Sequence, residues 1–169
     1  MRIFVDFDDV LFHTGVFRED FRKLCEKYGI AKETFIKSYA VIKKNDEEFA
    51  TYDFERHVAL LKKTLSFDEE ALREAIRKFL VRTQKYIFPD TKDFFAHLSL
   101  TGHGVYIISH GTSWFQHDKV KGARVAQFVK KVVVSAENKE QEIQTIFLDE
   151  KEKEQRGSLL MIARALFIL

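Results

Sequence analysis

Three short apolar runs, each followed at once by a polar side chain, constrain the fold of this chain most strongly. The runs are residues 3–5, 105–108 and 146–148, and the side chains that follow them are Asp6, Ser109 and Asp149. Short runs rich in Ile, Val and Phe are typical of buried strands. Because helical patterns separate the later runs, we predict an α/β fold with a Rossmann-like parallel sheet. Ligands of such sheets bind at the carboxyl ends of the strands, so these side chains are expected to meet there.

The chain between residues 15 and 88 has a different pattern, in which apolar side chains recur at helical spacing. This pattern predicts about four helices, with Gly29 as a stop and Ser66 or Asp68 as an N-cap. After Pro89 we predict helices at 90–100, 112–122 and 139–144, with strands at 105–108, 132–134 and 146–148. The predicted organisation is therefore an α/β core of residues 1–14 and 89–169, interrupted by an all-helical cap, residues 15–88 (the cap segment).

Composition excludes several classes of protein. The chain has 169 residues, of which 46% are hydrophobic, and a single cysteine, so intrinsic disorder and a disulfide framework are both excluded. Its 28 basic and 26 acidic residues give a net charge of +2, which argues against a nucleic-acid partner. We find no signal peptide and no apolar stretch near the roughly 20 residues that span a bilayer. We therefore expect a cytoplasmic protein without a membrane partner.

The strongest chemical signal is the pair of carboxylates at Asp6 and Asp8, where the first predicted strand ends. Alternate residues of a strand share a face, so both side chains can point into one site. Such a pair either binds a hard divalent cation such as Mg²⁺ or divides the roles of nucleophile and acid/base. The alternative for these two residues alone is a solvated acidic turn.

Weaker signals come from later in the chain. Ser109, with His110 and Gly111 before a predicted helix, is typical of an anion site formed by backbone N–H groups, although an ordinary helix cap has the same residues. Lys139 and the acidic residues from Asp149 onwards, taken singly, are equally typical of a solvated surface.

The order of these residues is more informative than any one of them. An Asp-x-Asp after the first strand, a strand-ending Ser, a Lys and then an Asp resemble the haloacid dehalogenase-like hydrolase superfamily. The four motifs in this chain are VDFDDVLF (residues 5–12), YIISHG (106–111), Lys139, and FLDE (147–150). Two departures are Asp9, where many members have glycine, and Glu150, where a second aspartate is more common.

The resemblance implies a magnesium-dependent phosphatase of small phosphorylated metabolites. It implies that Asp6 attacks phosphorus to form an aspartyl-phosphate, and that Asp8 is the acid and base. Mg²⁺ would be held by Asp6, the Asp8 carbonyl, Asp149 and, in preference to Glu154, Glu150. Ser109 and the His110 N–H would bind phosphate oxygens, and Lys139 would offset charge on the nucleophile. The cap segment would close over the site.

Other functions stay open at this point. A phosphotransferase or phosphomutase would use the same intermediate and differ only in the acceptor. A catalytically silent binding protein of the same fold is a second alternative, suggested by the unusual fourth motif. A signalling receiver domain also uses acidic residues with Ser or Thr and Lys, but in an order that the helical insertion does not suit. Self-association into a homodimer is a further expectation, because the core is small.

Overall fold

A parallel sheet lies at the centre of the computed structural model, which describes residues 2–44, 52–135, 139–149 and 159–162. Its four strands are β1 (Arg2–Asp6), β2 (Gly104–His110), β3 (Lys131–Ser135) and β4 (Leu159–Ile162). They lie in the order β3-β2-β1-β4, and each neighbouring pair is parallel. The predicted α/β class is therefore confirmed.

The register of the sheet brings the ends of β1 and β2 together. Asp6 lies opposite Ile108, so Ser109 lies one residue beyond the end of β1 at the same edge. Both faces of β1 are covered, since Ile3 and Val5 belong to one buried cluster and Phe4 to another. Burial on both faces explains why these strands are continuous apolar runs rather than alternating ones.

Four helices follow β1, as the periodicity predicts: α1 (Thr14–Glu26), α2 (Lys32–Lys44), α3 (Phe54–Lys62) and α4 (Glu69–Leu80). Gly29 terminates the first helical stretch with φ +83°, a conformation that favours glycine. The carboxylates of Asp53 and Asp68 cap α3 and α4 by accepting hydrogen bonds from backbone N–H groups. The described residues between β1 and α4 contain no strand. This part of the chain therefore does not have the order of elements of a signalling receiver domain.

The stretch of chain that enters the cap segment and the stretch that leaves it lie side by side. The His13 N–H donates to the Tyr86 carbonyl at 2.8 Å, and the Phe88 N–H donates to the Leu11 carbonyl at 3.0 Å. The two linking stretches are therefore held together just beyond the end of β1. The exact residues at which the core ends and the cap segment begins stay a prediction.

Three more helices complete the described chain: α5 (Thr91–Leu100), α6 (Ser113–Gly122) and α7 (Lys139–Asp149). The prediction of a strand at 146–148 is wrong, because these residues form the end of α7. Ile143 and Ile146, three apart on one helical face, pack in the cluster that contains Phe4. Strand β4 was not predicted. Among the described residues, no helix has the length and apolar character needed to cross a membrane.

Candidate active site

Asp6 and Lys139 form the first pair of the site. One Asp6 oxygen accepts a hydrogen bond from the Phe7 N–H at 2.7 Å, and the other lies 2.7 Å from the Lys139 ammonium. The Asp6 side chain remains 35% exposed, so it is open to a ligand. Lys139 is the first residue of α7, and this helix start brings it to the edge of the sheet where β1 ends. The predicted proximity of these two residues is found in the structure.

Asp8 has a denser set of partners. Its carboxylate accepts hydrogen bonds from the Lys119 ammonium at 2.7 and 3.0 Å, from the Thr14 hydroxyl at 2.9 Å and from the Gln116 amide at 3.2 Å. Burial alone would raise the pKa of Asp8, but the charge and hydrogen bond of Lys119, together with the hydrogen bonds of Thr14 and Gln116, outweigh it, and the pKa lies below its usual value. Asp8 is therefore an anion in this arrangement.

Sequence reasoning did not assign Lys119 a role in the site. The residue is only 3% exposed, and its ammonium lies 5.2–5.5 Å from the ring centres of Phe7, Phe12 and Phe17. A buried lysine needs an anion to compensate the loss of water, and Asp8 is that anion. One signal in the sequence could have indicated that Lys119 is buried. It follows the buried Phe115 by four residues, so the two side chains share one face of α6.

Ser109 and His110 occupy different environments. The Ser109 side chain is completely buried, and its hydroxyl lies 3.4 Å from an Asp8 oxygen. His110 lines the cavity described below. The next residue, Gly111, has φ +139°, and its N–H donates to the Ser135 carbonyl at 3.1 Å. The structure thus brings both predicted phosphate-binding residues close to Asp8, with only His110 facing the cavity.

The prediction that Asp149 stands at the end of a strand is wrong. Asp149 is the last residue of α7, whose first residue, Lys139, contacts Asp6. Ten residues of α-helix span about 15 Å, so the backbone of Asp149 lies about 15 Å from that of Lys139. The strand next to β1 is instead β4, and the residues after it in the sequence are Ala163 and Arg164. Glu150 lies outside the described residues.

Among the residues that the structure describes, the donor groups near Asp6 do not by themselves form a magnesium site. Mg²⁺ takes oxygen ligands in octahedral geometry, usually including one or two carboxylates. Here Asp6 is paired with Lys139 and Asp8 with Lys119. Within the described ranges, no three His, Cys, Asp or Glu side chains are grouped so that they could hold a metal ion. The two lysines supply the positive charge at this edge of the sheet.

A cavity of about 250 Å³ lies between this edge and the cap segment. Its core side contains both carboxylates and both lysines, and its cap side contains Arg18 among aromatic rings. That volume is below the usual range for drug-sized ligands, so the cavity suits a small metabolite. The remaining lining residues are Asp9, Thr14, Phe17, Phe21, Tyr39, Tyr52, His110, Phe115 and Gln116.

Comparisons with known proteins agree with the fold. No protein-family model and no curated protein sequence matches this chain. Among solved structures, the HAD-hydrolase YfnB from Bacillus subtilis, bound to magnesium, has a TM-score of 0.62 at 20% identity, covering 95% of this chain and 78% of that one. A protein named as a haloacid dehalogenase-like hydrolase, from Burkholderia xenovorans, has a TM-score of 0.70 at 15% identity, covering 95% and 70%.

A third structure extends the range of activities. A protein named as a β-phosphoglucomutase, from Thermotoga maritima, has a TM-score of 0.60 at 12% identity, covering 95% of this chain and 74% of that one. The parallel sheet, the helices between β1 and β2, and these similarities together show that the chain has the fold of the haloacid dehalogenase-like hydrolases.

Proposed function

We propose that this protein hydrolyses a small phosphomonoester through a covalent intermediate on Asp6. The observation that carries the proposal is the Asp6 carboxylate at the end of β1, partly exposed to a small cavity and 2.7 Å from the Lys139 ammonium. A carboxylate in this position can attack phosphorus, and a neighbouring ammonium offsets the charge that two approaching anions bring together.

The reaction has two steps. In the first, an Asp6 oxygen forms a bond to phosphorus while the ester P–O bond breaks, and the alkoxide takes up a proton. In the second, water attacks the aspartyl-phosphate, loses a proton to a base, and releases phosphate and Asp6. Asp8, held as an anion by Lys119, is suited to accept the proton of that water. For Asp8 to donate the proton in the first step, it must first be protonated.

Magnesium dependence, which the resemblance implies, has less support from the described residues. YfnB, with the same fold, is bound to magnesium. When bound, the ion would shield the nucleophile from the charge of the phosphate. In this chain Lys139 pairs with the Asp6 carboxylate, one of the groups that would hold it. The assay therefore needs arms with Mg²⁺ and with EDTA.

Two alternatives have observations of their own. A phosphotransferase or phosphomutase would use the same intermediate, and one protein of this fold is named as a β-phosphoglucomutase. A catalytically silent binding protein is favoured by the residues after β4, where Ala163 and Arg164 follow the strand beside β1. It would bind a phosphorylated metabolite without turning it over.

The test is a panel of phosphomonoesters, including p-nitrophenyl phosphate, assayed with Mg²⁺ and with EDTA. Wild type should release phosphate, Asp6→Asn should lose at least about 10³-fold in rate, and Asp93→Asn, an exposed change on α5, should match wild type. Mass spectrometry of quenched wild type should find one phosphoryl group on Asp6.

Three results would decide against the proposal. Activity that survives Asp6→Asn would exclude this nucleophile. Phosphate binding by a folded wild type that turns over no ester would favour the silent binding protein. Transfer of the phosphoryl group to an added alcohol or sugar phosphate, in preference to water, would favour the transferase.

A further inference from the structure

The cap side of the cavity contains a cation that the reaction does not use. Arg18 lies on α1, is exposed, and lines the same cavity as Asp6 and Lys139. In the described part of the chain, no carboxylate forms an ion pair with it. Arg22, one turn further along α1, is held by Glu19 and Glu26, with both ion pairs at 2.6 Å. Arg22 is therefore neutralised by acidic residues of its own helix, whereas Arg18 faces the cavity.

The Arg18 side chain is supported by stacked aromatic rings. Its guanidinium carbon lies 5.6 Å from the centre of the Tyr39 ring, and that ring stacks on Tyr52 at 4.9 Å. The Tyr52 hydroxyl is in turn 3.0 Å from a ring nitrogen of His57. The aromatic face suits a charged guanidinium, and a hydrogen bond between Arg18 and the Tyr39 side chain leaves the remaining guanidinium N–H groups able to bind an anion. The platform reduces the conformational entropy that Arg18 loses when a ligand binds.

Both lysines at the opposite side of the cavity are already paired with carboxylates. Asp6 pairs with Lys139, and Asp8 pairs with Lys119. Asp9, the third carboxylate of the lining, accepts a hydrogen bond from the Thr14 N–H at the start of α1, where the helix terminus stabilises its negative charge. Among the described residues that line the cavity, Arg18 is therefore the cation that can meet the rest of a phosphomonoester bound at Asp6.

We propose that Arg18 binds a second anionic group of the substrate, so that the substrate class is a small phosphomonoester that also bears a carboxylate or another phosphate. This inference rests on the proposed function, because it places the reacting phosphate at Asp6. A guanidinium binds a carboxylate or a phosphate through two parallel hydrogen bonds, so either anion could occupy this subsite. A cavity of about 250 Å³ suits a ligand whose two anions are joined by a short spacer.

The test uses three ligands with the same three-carbon chain: propyl phosphate, 3-phosphooxypropanoate and 1,3-propanediol bisphosphate. Calorimetric titrations use the Asp6→Asn protein, in which turnover is blocked, with inorganic phosphate as the reference. The doubly anionic ligands should bind about tenfold more tightly than propyl phosphate, as a charged hydrogen bond implies. The additional change Arg18→Gln should abolish that preference. Lys27→Gln, which removes one positive charge from an exposed position at the end of α1, should preserve it.

The comparison between ligands distinguishes a failure of the proposed function from a failure of the Arg18 subsite alone. If no phosphate compound binds, the proposed function fails and the Arg18 subsite fails with it. If phosphate and all three esters bind with equal affinity, only the subsite is wrong. A preference that persists after Arg18→Gln also contradicts the subsite. The protein could instead prefer only the carboxylate ligand or only the bisphosphate. If Arg18→Gln abolishes that preference, the result supports the Arg18 subsite and identifies the anion that it binds.

Discussion

Lowering the pH from 7 to 5 should destabilise this protein through one histidine of the cap segment. His57 on α3 is only 2% exposed, and burial lowers its pKa to about 4. Its Nε2 lies 2.7 Å from the Ser38 hydroxyl, and its Nδ1 lies 3.0 Å from the Tyr52 hydroxyl. The Ser38 hydroxyl has the Thr34 carbonyl at 2.7 Å as an acceptor. The network therefore assigns the proton of the neutral ring to Nε2, with Nδ1 accepting from Tyr52.

Protonation at Nδ1 would break this arrangement. The new N–H would face a tyrosine hydroxyl that now donates to it, and the other close neighbours of the ring are the Phe35 and Tyr39 rings. An unfolded histidine has a pKa near 6.5. The unfolded chain therefore binds more protons than the folded one between pH 6.5 and 4, and stability falls as the pH falls through this range. Linkage gives a loss of about 2 kcal/mol between pH 7 and 5 from this group alone.

Urea unfolding at pH 7, 6 and 5 measures the effect. The carboxylates of the protein also titrate towards pH 5, so the informative quantity is the difference in unfolding free energy between wild type and His57→Gln. That difference should shrink by about 2 kcal/mol as the pH falls from 7 to 5. His97→Gln, at an exposed position of α5, should show no comparable change. A wild-type-minus-His57→Gln difference that is the same at all three pH values would refute the reasoning.

Two further predictions concern packing and buried charge. A Cβ at Gly122 would lie 1.8 Å from the Leu80 carbonyl oxygen, so Gly122→Ala should destabilise the protein by at least about 2 kcal/mol. Gly15→Ala, where a Cβ meets nothing within 4 Å, should change urea stability by less than about 1 kcal/mol, and equal effects at both sites would contradict the packing shown. Lys119→Met leaves the Asp8 carboxylate without its cation and should cost about 3 kcal/mol at pH 7, recovered in part by a second change, Asp8→Asn. Unchanged stability of Lys119→Met would show that the pair is not coupled.

Strands β1 and β2 could be predicted because burial on both faces makes each of them a continuous apolar run, and β3, which is only partly buried, contains three consecutive valines. The same reasoning failed at residues 146–148, because a run of three apolar residues fits a strand or the buried face of a helix equally well. The spacing of Ile143 and Ile146 is helical, and the structure follows it. Strand β4 lies in a stretch that sequence reasoning left unassigned, and its pairing with β1 joins residues far apart in the chain.

The candidate site could be predicted in part. The order of four residues and their positions at element ends predict a site of Asp6, Asp8, Ser109 and Lys139. In the structure Lys139 contacts Asp6, the Ser109 hydroxyl lies 3.4 Å from Asp8, and both carboxylates line one cavity. Lys119 was missed as a partner because a lysine in a helix usually indicates a solvated face. Its partner Asp8 is 111 residues away in the sequence, and only tertiary packing brings them into contact.

The aromatic rings around Phe115 make the cap segment a poor candidate for modular exchange. Phe17, Phe21, Tyr52 and Phe54 of the cap segment all lie 5.6–6.2 Å, centre to centre, from the ring of this one residue of α6. A chimera that receives the cap of another protein with this fold would leave Phe115 against unmatched side chains. Engineering substrate range by exchanging caps therefore requires the first turn of α6 to be transferred together with the inserted helices.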